Sequence, residues 1–500
     1  MESLSNLLMG FSVAFQPANL LLAFLGSALG TLIGVLPGIG PSAGAAILIP
    51  LTFQMDPTGA IIMLTALFYG TQYGGTITSV LLNVPGEAAS AITCLDGYEL
   101  AKQGRAGTAL SLAAIGSFVG GLFATICLIL AAAPLTKMAL EFGPVESFAL
   151  LTVGLSLVMG LAGKSMIKAL MMGILGLLLS MVGLDPVRGM PRFTFGRLEL
   201  MEGIGFVPVI MGLFGLAEVL ANAEEGFGEV SLAKMSSLFP SKSDLKRSVK
   251  PMIRGSLIGT GLGLIPGMTG SAASFLSYIA EKKASKTPEK FGTGMIEGVV
   301  GPETSNNAHA NGALIPLFTL GIPSSPTVAV IMGAFMMHGL VPGPFLFTEH
   351  ADIAWGVIAS FVVGNIMLLI LNLPLIRIWV KILKIPYGLL FAVILGFMIL
   401  GAYSVNNSVF EIIVMLVFGI FAFFMKKMDF PMAPLILTLI LGPQMERALR
   451  QSLEISQGSF SIFIETPLSA GLFAVAALIL IAPAFKFLRK GKDKVSGEGA

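Results

Sequence analysis

Apolar runs of membrane-crossing length alternate along the chain with short polar stretches, and one run departs from that pattern. Between Thr304 and Thr348 there is no Asp, Glu, Lys or Arg, yet Thr304, Ser305, Asn306, Asn307, Asn311, Thr319, Ser324, Ser325 and Thr327 crowd together there. In hydrocarbon each unpaired polar group costs several kcal/mol, so this stretch is expected to line a cavity or pack against protein. Gly321-Ile322-Pro323 interrupts it, because proline lacks the amide proton and disfavours helical geometry at the residue before it. A broken helix at membrane depth points to a transporter site.

Upstream, residues 1–23 form an apolar segment whose relation to the membrane, crossing or interfacial, the pattern leaves open. Phe24 to Leu36 then reads as a helical arm of 13 residues, broken at Pro37-Gly38, with Ser42 to Phe53 as a second arm. Neither arm spans a hydrocarbon core of about 30 Å. The expectation is a re-entrant hairpin with its tip at Pro37 to Pro41, the alternative being one continuous span over 16–36. The pattern returns 229 residues later, GSALGTLIGVLPGIGPSA at 26–43 against GSLIGTGLGLIPGMTGSA at 255–272. Gly26, Gly30 and Gly34 in the first copy and Gly255, Gly259 and Gly263 in the second lay a side-chain-free stripe on one helix face. Gly74 to Pro85 aligns in the same order with Gly312 to Pro323, so the chain is expected to be an internal duplication.

Further apolar segments fall at 108–133, 146–163, 166–183 and 204–222, and after the second copy at 353–375, 387–403, 409–425, 431–443 and 467–486. The expected fold is all-α: a polytopic integral membrane protein of about 10–12 spans, with two inverted repeats that each carry a re-entrant hairpin and a broken helix. The boundaries are an N-terminal segment (1–23), a first repeat (24–223), a polar linker (224–251), a second repeat (252–486) and a basic tail (487–500). Lys/Arg-rich loops mark the cytoplasmic side. The tail, with Lys486, Arg489, Lys490, Lys492 and Lys494, is therefore expected inside. Counting back puts Lys426-Lys427, Arg377 to Lys384 and the loop with Lys282, Lys283, Lys286 and Lys290 inside as well. Gln54 to Pro57 falls outside, which gives the halves inverted topology. The loop with Arg188, Arg192 and Arg197 falls outside against the rule.

Composition narrows the class. Of 500 residues 55% are hydrophobic and only 12% charged, with mean hydropathy +0.88, too little polar surface for a string of soluble domains. A net charge of +2 makes no case for nucleic acid. Glycine at 60 positions fits close helix packing. The only cysteines, Cys94 and Cys127, form no metal or redox motif, and the N-terminus, with Glu2 and no basic residue before its apolar run, does not read as a cleaved signal peptide. No nucleophile and base stand in a catalytic motif, and His309 and His338 have no ligand partner in sequence, so neither an enzyme nor a cofactor is expected. Glu281 and Glu297 sit near loops and are expected to be solvated.

Inverted repeats bring two hairpin tips and two broken helices to one pocket. Substrate contacts are expected from Gly38, Gly40, Ser42, Asn83, Gly86 and Glu87 of the first half, and from Gly267, Thr269, Ser271, Asn306, Asn307, Asn311, Ser324, Ser325 and Thr327 of the second. Helix N-termini after Pro41, Gly86, Gly270 and Ser325 would present free amide protons to carboxylate oxygens. Carbonyls freed beside Pro37, Pro85, Pro266 and Pro323, with Glu87 and Glu303, suit a cation. Intramembrane acids are costly and default to function, and Glu303, Asn307 and Asn311 share a helix face as a polar seam. No Lys or Arg lies in these blocks, so an organic anion must enter with cations; Na⁺ is preferred to H⁺.

GVLPGIGP, NVPGEAAS and PETSNNAHANGALIPLFTLGIPSS together resemble the large membrane subunit of the tripartite tricarboxylate transporters, the TctA family. The resemblance covers nearly the whole chain. It implies a bacterial inner-membrane secondary carrier driven by an ion gradient, with a cytoplasmic C-terminus, that works with a small membrane subunit and a periplasmic solute-binding protein delivering an organic carboxylate such as citrate. Ser324 departs from the pattern, in which a glycine is expected, and Thr269-Gly270 stands where the first half has Gly40-Pro41. The rival reading is a stand-alone carrier or channel for another small solute without a binding protein.

Overall fold

The computed structural model describes residues 2–36, 38–161, 165–185, 189–225, 240–382 and 387–495. Pro37 and half of the expected linker, residues 226–239, lie outside the described residues. In chain order the first helices are α1 (Glu2–Ala14), α2 (Pro17–Val35), α3 (Pro41–Thr52), α4 (Pro57–Leu82), α5 (Thr93–Lys102), α6 (Ala106–Leu140), α7 (Pro144–Leu161) and α8 (Met166–Ser180). A short hairpin of β1 (Gly183–Leu184) and β2 (Pro191–Arg192) precedes α9 (Phe206–Ile210), a π-helical turn at Met211–Leu216, and α10 (Ala217–Glu225). Next come α11 (Lys242–Gly263), α12 (Gly270–Ala284), α13 (Glu297–Gly312), α14 (Leu314–Leu320), α15 (Pro326–Met337), α16 (Pro344–Glu349) and α17 (Ala351–Asn372). The last are α18 (Ile376–Ile382), α19 (Tyr387–Asn406), α20 (Val409–Lys427), α21 (Ala433–Ile455), α22 (Ile462–Glu465) and α23 (Pro467–Val495).

Among the described residues five helices are long and apolar enough to cross a membrane alone: Pro17–Val35, Ala106–Ala139, Phe206–Glu224, Ala351–Asn372 and Val409–Lys427. Shorter apolar helices, Pro41–Thr52 and Pro326–Met337 among them, accompany these five. Local chemistry sets the boundaries. Asp56 caps α4 by accepting from Thr58 N at 3.1 Å and Gly59 N at 3.3 Å, with Pro57 in the first helical position, where its missing N–H costs nothing. α4 ends on Asn83 (φ 58°) and α14 on Gly321 (φ 70°), both left-handed, so two aligned positions stop their helices the same way.

Three expectations change. The first arm is not 13 residues from Phe24: α2 is a continuous helix of 19 residues from Pro17, about 28 Å long, while α3 has 12 residues. As a helix α2 follows the alternative 16–36 reading, because nothing between Pro17 and Val35 breaks it. The linker is also shorter than 224–251. Ser241 and Asp244 form a reciprocal capping box that starts α11 at Lys242, so its basic first turns belong to a helix. At the other end α23 runs on to Val495, past the expected start of the tail.

Two compact units emerge, and each draws on both halves of the sequence: Met1–Ala139 with Val207–Phe423, and Leu140–Phe206 with Phe424–Ala500. The second unit packs α7 against α21 and α23, and α8 against α21. Within it Arg192 bonds Glu446 (2.8 Å) and Arg450 bonds Asp185 (2.9 Å), a network that ties the β hairpin to α21.

In the first unit the duplication is visible as packing. Gly26, Gly30 and Gly34 of α2 lie against the α4 backbone at Met63, Leu67 and Thr71; Gly255, Gly259 and Gly263 of α11 lie against the α13 backbone at Gly301, Ser305 and His309. Every pair is the other displaced along the chain. α4 and α13 are consequently buried through almost their whole length. Each copy also sends its second arm to the other: α3 packs on α15, and α12 on the 3₁₀ turn Ala88–Ser90.

A side chain at Gly263 would press on the backbone of Gly312 and Ala313, whereas Gly261, two residues away, has nothing within 4 Å. Gly263→Ala should therefore lower stability by about 1–3 kcal/mol through overpacking, and Gly261→Ala should leave it unchanged or raise it. Thermal unfolding of the purified protein in detergent checks this; equal midpoints for both variants would contradict the packing.

Candidate functional site

After α4 stops at Asn83, the chain runs extended to Glu87, which caps the 3₁₀ turn Ala88–Ser90. Ser90 Oγ donates to Glu87 O (2.9 Å), and Ser79 Oγ of α4 donates to Ser90 O (3.0 Å), so the turn is fastened to the helix it follows. This fixes the Glu87 carboxylate against α13, where Asn306 Nδ2 donates to its Oε1 at 2.7 Å. Gln72, with its amide turned to satisfy both groups, donates to Oε1 at 2.6 Å and Oε2 at 2.9 Å. Glu87 is 8% exposed, and its carboxylate is bonded by the amides of Asn306 and Gln72.

Glu303, 1% exposed, makes the reciprocal contact from the second repeat to the first. Thr76 of α4 donates to its Oε2 at 2.5 Å, and Thr93 of α5 to its Oε1. A buried carboxylate persists only when its lone pairs are met, so these hydroxyls and amides set the distance between α13 and the first repeat.

A cavity of about 280 Å³ opens beside Glu87. Gly38, Gly40, Ser42 and Ala43 form one wall, Pro85, Gly86, Glu87 and Ala88 a second, and Phe214 with Glu218 a third. The hairpin tip is shaped by Gly38 (φ 86°), whose carbonyl accepts from Asn222 Nδ2 at 2.8 Å; Gly267 holds the equivalent place with φ 87°. α3 begins at Pro41 with Gly40 as an uncapped N-cap, so its first free amides face this cavity. Ser42 Oγ lies 2.8 Å from Thr327 Oγ1, joining the first hairpin to the second broken helix.

The geometry thus gathers Gly38, Gly40, Ser42, Pro85, Gly86 and Glu87 around one cavity, with Asn306 one bond away and Thr327 on Ser42. Other expected residues face elsewhere. Asn311 turns to α6, bonding Gly121 O (3.0 Å) and Thr125 Oγ1 (3.2 Å). Asn307 is fully buried and reaches only Glu303 O (3.5 Å), and Asn83 is exposed at the end of α4. Ser324 donates to Ala313 O (2.8 Å), Ser325 caps α15 through Val328 N (3.3 Å), and Thr269 caps α12 through Ala272 N (3.2 Å). Gly267 N donates to Ser324 O (2.9 Å), closing the second tip on its own broken helix beside Pro266 and Pro323; Ser271 is half-buried on the first turn of α12. The helix expected after Gly86 is only a single 3₁₀ turn, too short to supply a helix dipole.

Sequence reasoning missed Gln72, Thr76, Thr93, Phe214, Glu218 and Asn222. A signal existed for three of them: Glu218 is an acid inside an apolar run, and Gln72 with Thr76 forms an i,i+4 polar pair in another. Glu281 is corrected too. It is 1% exposed and paired with Arg254, because α12 packs its side chain against α13 at Gly301. Among the described residues no group of three His, Cys, Asp or Glu could hold a metal ion.

Thr93→Val keeps the shape of the side chain and removes the hydroxyl that Glu303 accepts from, leaving a buried carboxylate oxygen short of a donor. Stability should fall by about 1–3 kcal/mol, and Thr93→Ser should retain it. Thermal unfolding of the two variants decides the point; an unchanged midpoint for the valine variant would mean that Thr93 does not hold Glu303.

Comparison with known proteins places this architecture. The profile described as "Tripartite tricarboxylate transporter TctA family" matches residues 20–437. An Agrobacterium vitis protein described as "Uncharacterized 52.8 kDa protein in TAR-I ttuC' 3'region" is 47% identical over 496 residues, 99% of either chain. A second from the same organism, "Uncharacterized protein in TAR-II ttuC' 3'region", is 44% identical over 237 residues, covering 47% of this chain and 98% of its own length. No solved structure matches. With the membrane helices, the duplicated broken-helix blocks and a profile match from residue 20 to residue 437, the chain belongs to the TctA family of tripartite tricarboxylate transporters.

Proposed function

We propose that this protein is the large permease subunit of a tripartite, binding-protein-dependent secondary carrier that imports a tricarboxylate or related organic carboxylate together with cations. The observation that carries this reading is the cavity beside Glu87, where the free amides of α3, the buried Glu87 and the half-buried Glu218 line the same space. A helix N-terminus supplies roughly half a positive charge, too little for an anion of two or three charges. Glu87 and Glu218 stand on the walls, where each carboxylate adds a further negative charge when it is ionised, so a cation would share the cavity. Na⁺ is the proposed coupling ion: carboxylate, amide and hydroxyl oxygens are hard ligands of the kind it takes. Catalysis has no part in this reading.

Transport would proceed by alternating access. The two repeats would be inverted in the bacterial inner membrane, with the C-terminus in the cytoplasm, and the contacts Ser42–Thr327 and Glu87–Asn306 would remake as the cavity changes sides. A periplasmic solute-binding protein would deliver the carboxylate, and a small membrane subunit would complete the assembly.

Reconstituted with its partner subunits, the protein should take up labelled citrate along an inward Na⁺ gradient. Asn306→Ala should cut uptake about tenfold per folded molecule while lowering stability by about 1–3 kcal/mol, and Glu87→Gln should alter the pH profile by removing the titrating group that Asn306 contacts. Full uptake on a proton gradient in Na⁺-free buffer would overturn the sodium assignment, and an unaltered pH profile would reduce Glu87 to a cap.

Inversion has its own test. Single cysteines belong at the exposed Gln54 and Glu289, in a background lacking Cys94 and Cys127. An impermeant maleimide should reach position 54 from the periplasm and position 289 only from the cytoplasm; labelling of both from one face would refute inverted repeats.

A further inference from the structure

A second cavity lies away from the site above, at the polar end of α11 and α12. It measures about 290 Å³ and is bounded by α11, the last turn of α12, the turn Ser285–Thr287 and the start of α13. Its charged walls are Arg247, Lys250, Arg254 and Lys286 against Glu281 and Glu297, an excess of two positive charges. The acids serve a structural purpose. Arg247 Nε and Nη2 donate to Glu297 at 2.9 and 2.8 Å, and Arg254 holds the buried Glu281 through Nε at 2.7 Å and through Nη2. Each guanidinium is thereby fixed along one edge and keeps N–H donors on its other edge. Lys250 and Lys286 are exposed and supply the excess charge.

Beside this cavity α11 exposes a stripe of large apolar side chains, Val249 (51%), Ile253 (56%) and Leu257 (58%), spaced four residues apart and running away from the charged end. A fixed cationic cup at the end of an apolar stripe matches a molecule with an anionic head and a hydrocarbon tail. We infer that this groove binds the phosphate headgroup of an anionic phospholipid, with an acyl chain along Val249, Ile253 and Leu257. The chemistry of the cup alone would also accept free phosphate; the stripe is what selects the lipid. The basic loop Lys282–Lys290 places the groove on the cytoplasmic face in the sidedness read from the sequence, where anionic lipid attracts such clusters.

The full-length protein, purified in mild detergent and offered equal phosphatidylglycerol and phosphatidylcholine of matched chains, should retain phosphatidylglycerol preferentially in native mass spectra. Lys250→Gln with Lys286→Gln should lower that preference by about fivefold for each lysine removed, with the unfolding midpoint retained, and Lys250→Arg with Lys286→Arg should keep it. Excess inorganic phosphate should leave the bound lipid in place. Equal retention of the two lipids by the unaltered protein, or an undiminished preference in the glutamine variant, would overturn the inference. Displacement of the lipid by inorganic phosphate would assign the cup to a free phosphate ligand instead.

Discussion

A helix as polar as α13 can lie in a low-dielectric interior only if most of its polar groups meet partners, and that demand organises the first unit. Glu303, Asn306 and Asn311 find theirs on α4, on the loop before the Ala88–Ser90 turn, on α5 and on α6. Ser305 reaches the backbone of α12 at Ala273 O, 3.1 Å away. Backbones must come this close for short side chains to bridge them, and the glycine stripe of α11 is what lets α13 be enclosed on its remaining side.

Duplication supplies the scaffold twice, but the chemistry is unequal. α4 carries the same glycine-stripe contacts as α13, yet the position aligned with Glu303 is Thr65, whose hydroxyl bonds its own helix, and the position aligned with Glu87 is Ser325, whose hydroxyl caps α15. Both carboxylates therefore lie at contacts between the repeats, one contributed by each, while the second hairpin tip is closed by the bond from Gly267 to Ser324. A carrier needs a pathway that can open from either side and a ligand site that stays put. Equal backbones with unequal side chains fit both requirements.

The duplication and its breaks were legible because they are written in local residues: Gly-xxx-Gly stripes, Pro-Gly tips and left-handed stops leave a mark wherever they occur. The partners of Glu87 and Glu303 were not legible, since Gln72, Thr76 and Thr93 come from the other repeat and only tertiary packing brings them near. Helical periodicity misled over Asn307 and Asn311. It sorts residues onto faces, but α13 is buried all round and every face has a neighbour, so Asn306 meets Glu87 while Asn311 serves α6. Polar composition likewise cannot tell a loop from an amphipathic helix with basic first turns, and residues 242–251 of the expected linker are such a helix.

The central claim is that anion and cation share the cavity beside Glu87, and Ala88 on its wall is exposed enough to report on it. In a protein lacking Cys94 and Cys127, a single cysteine at position 88 should react with a maleimide at a rate that citrate and Na⁺ slow strongly together and only weakly apart. A rate that neither ligand changes, alone or combined, in a variant that still transports would contradict the account.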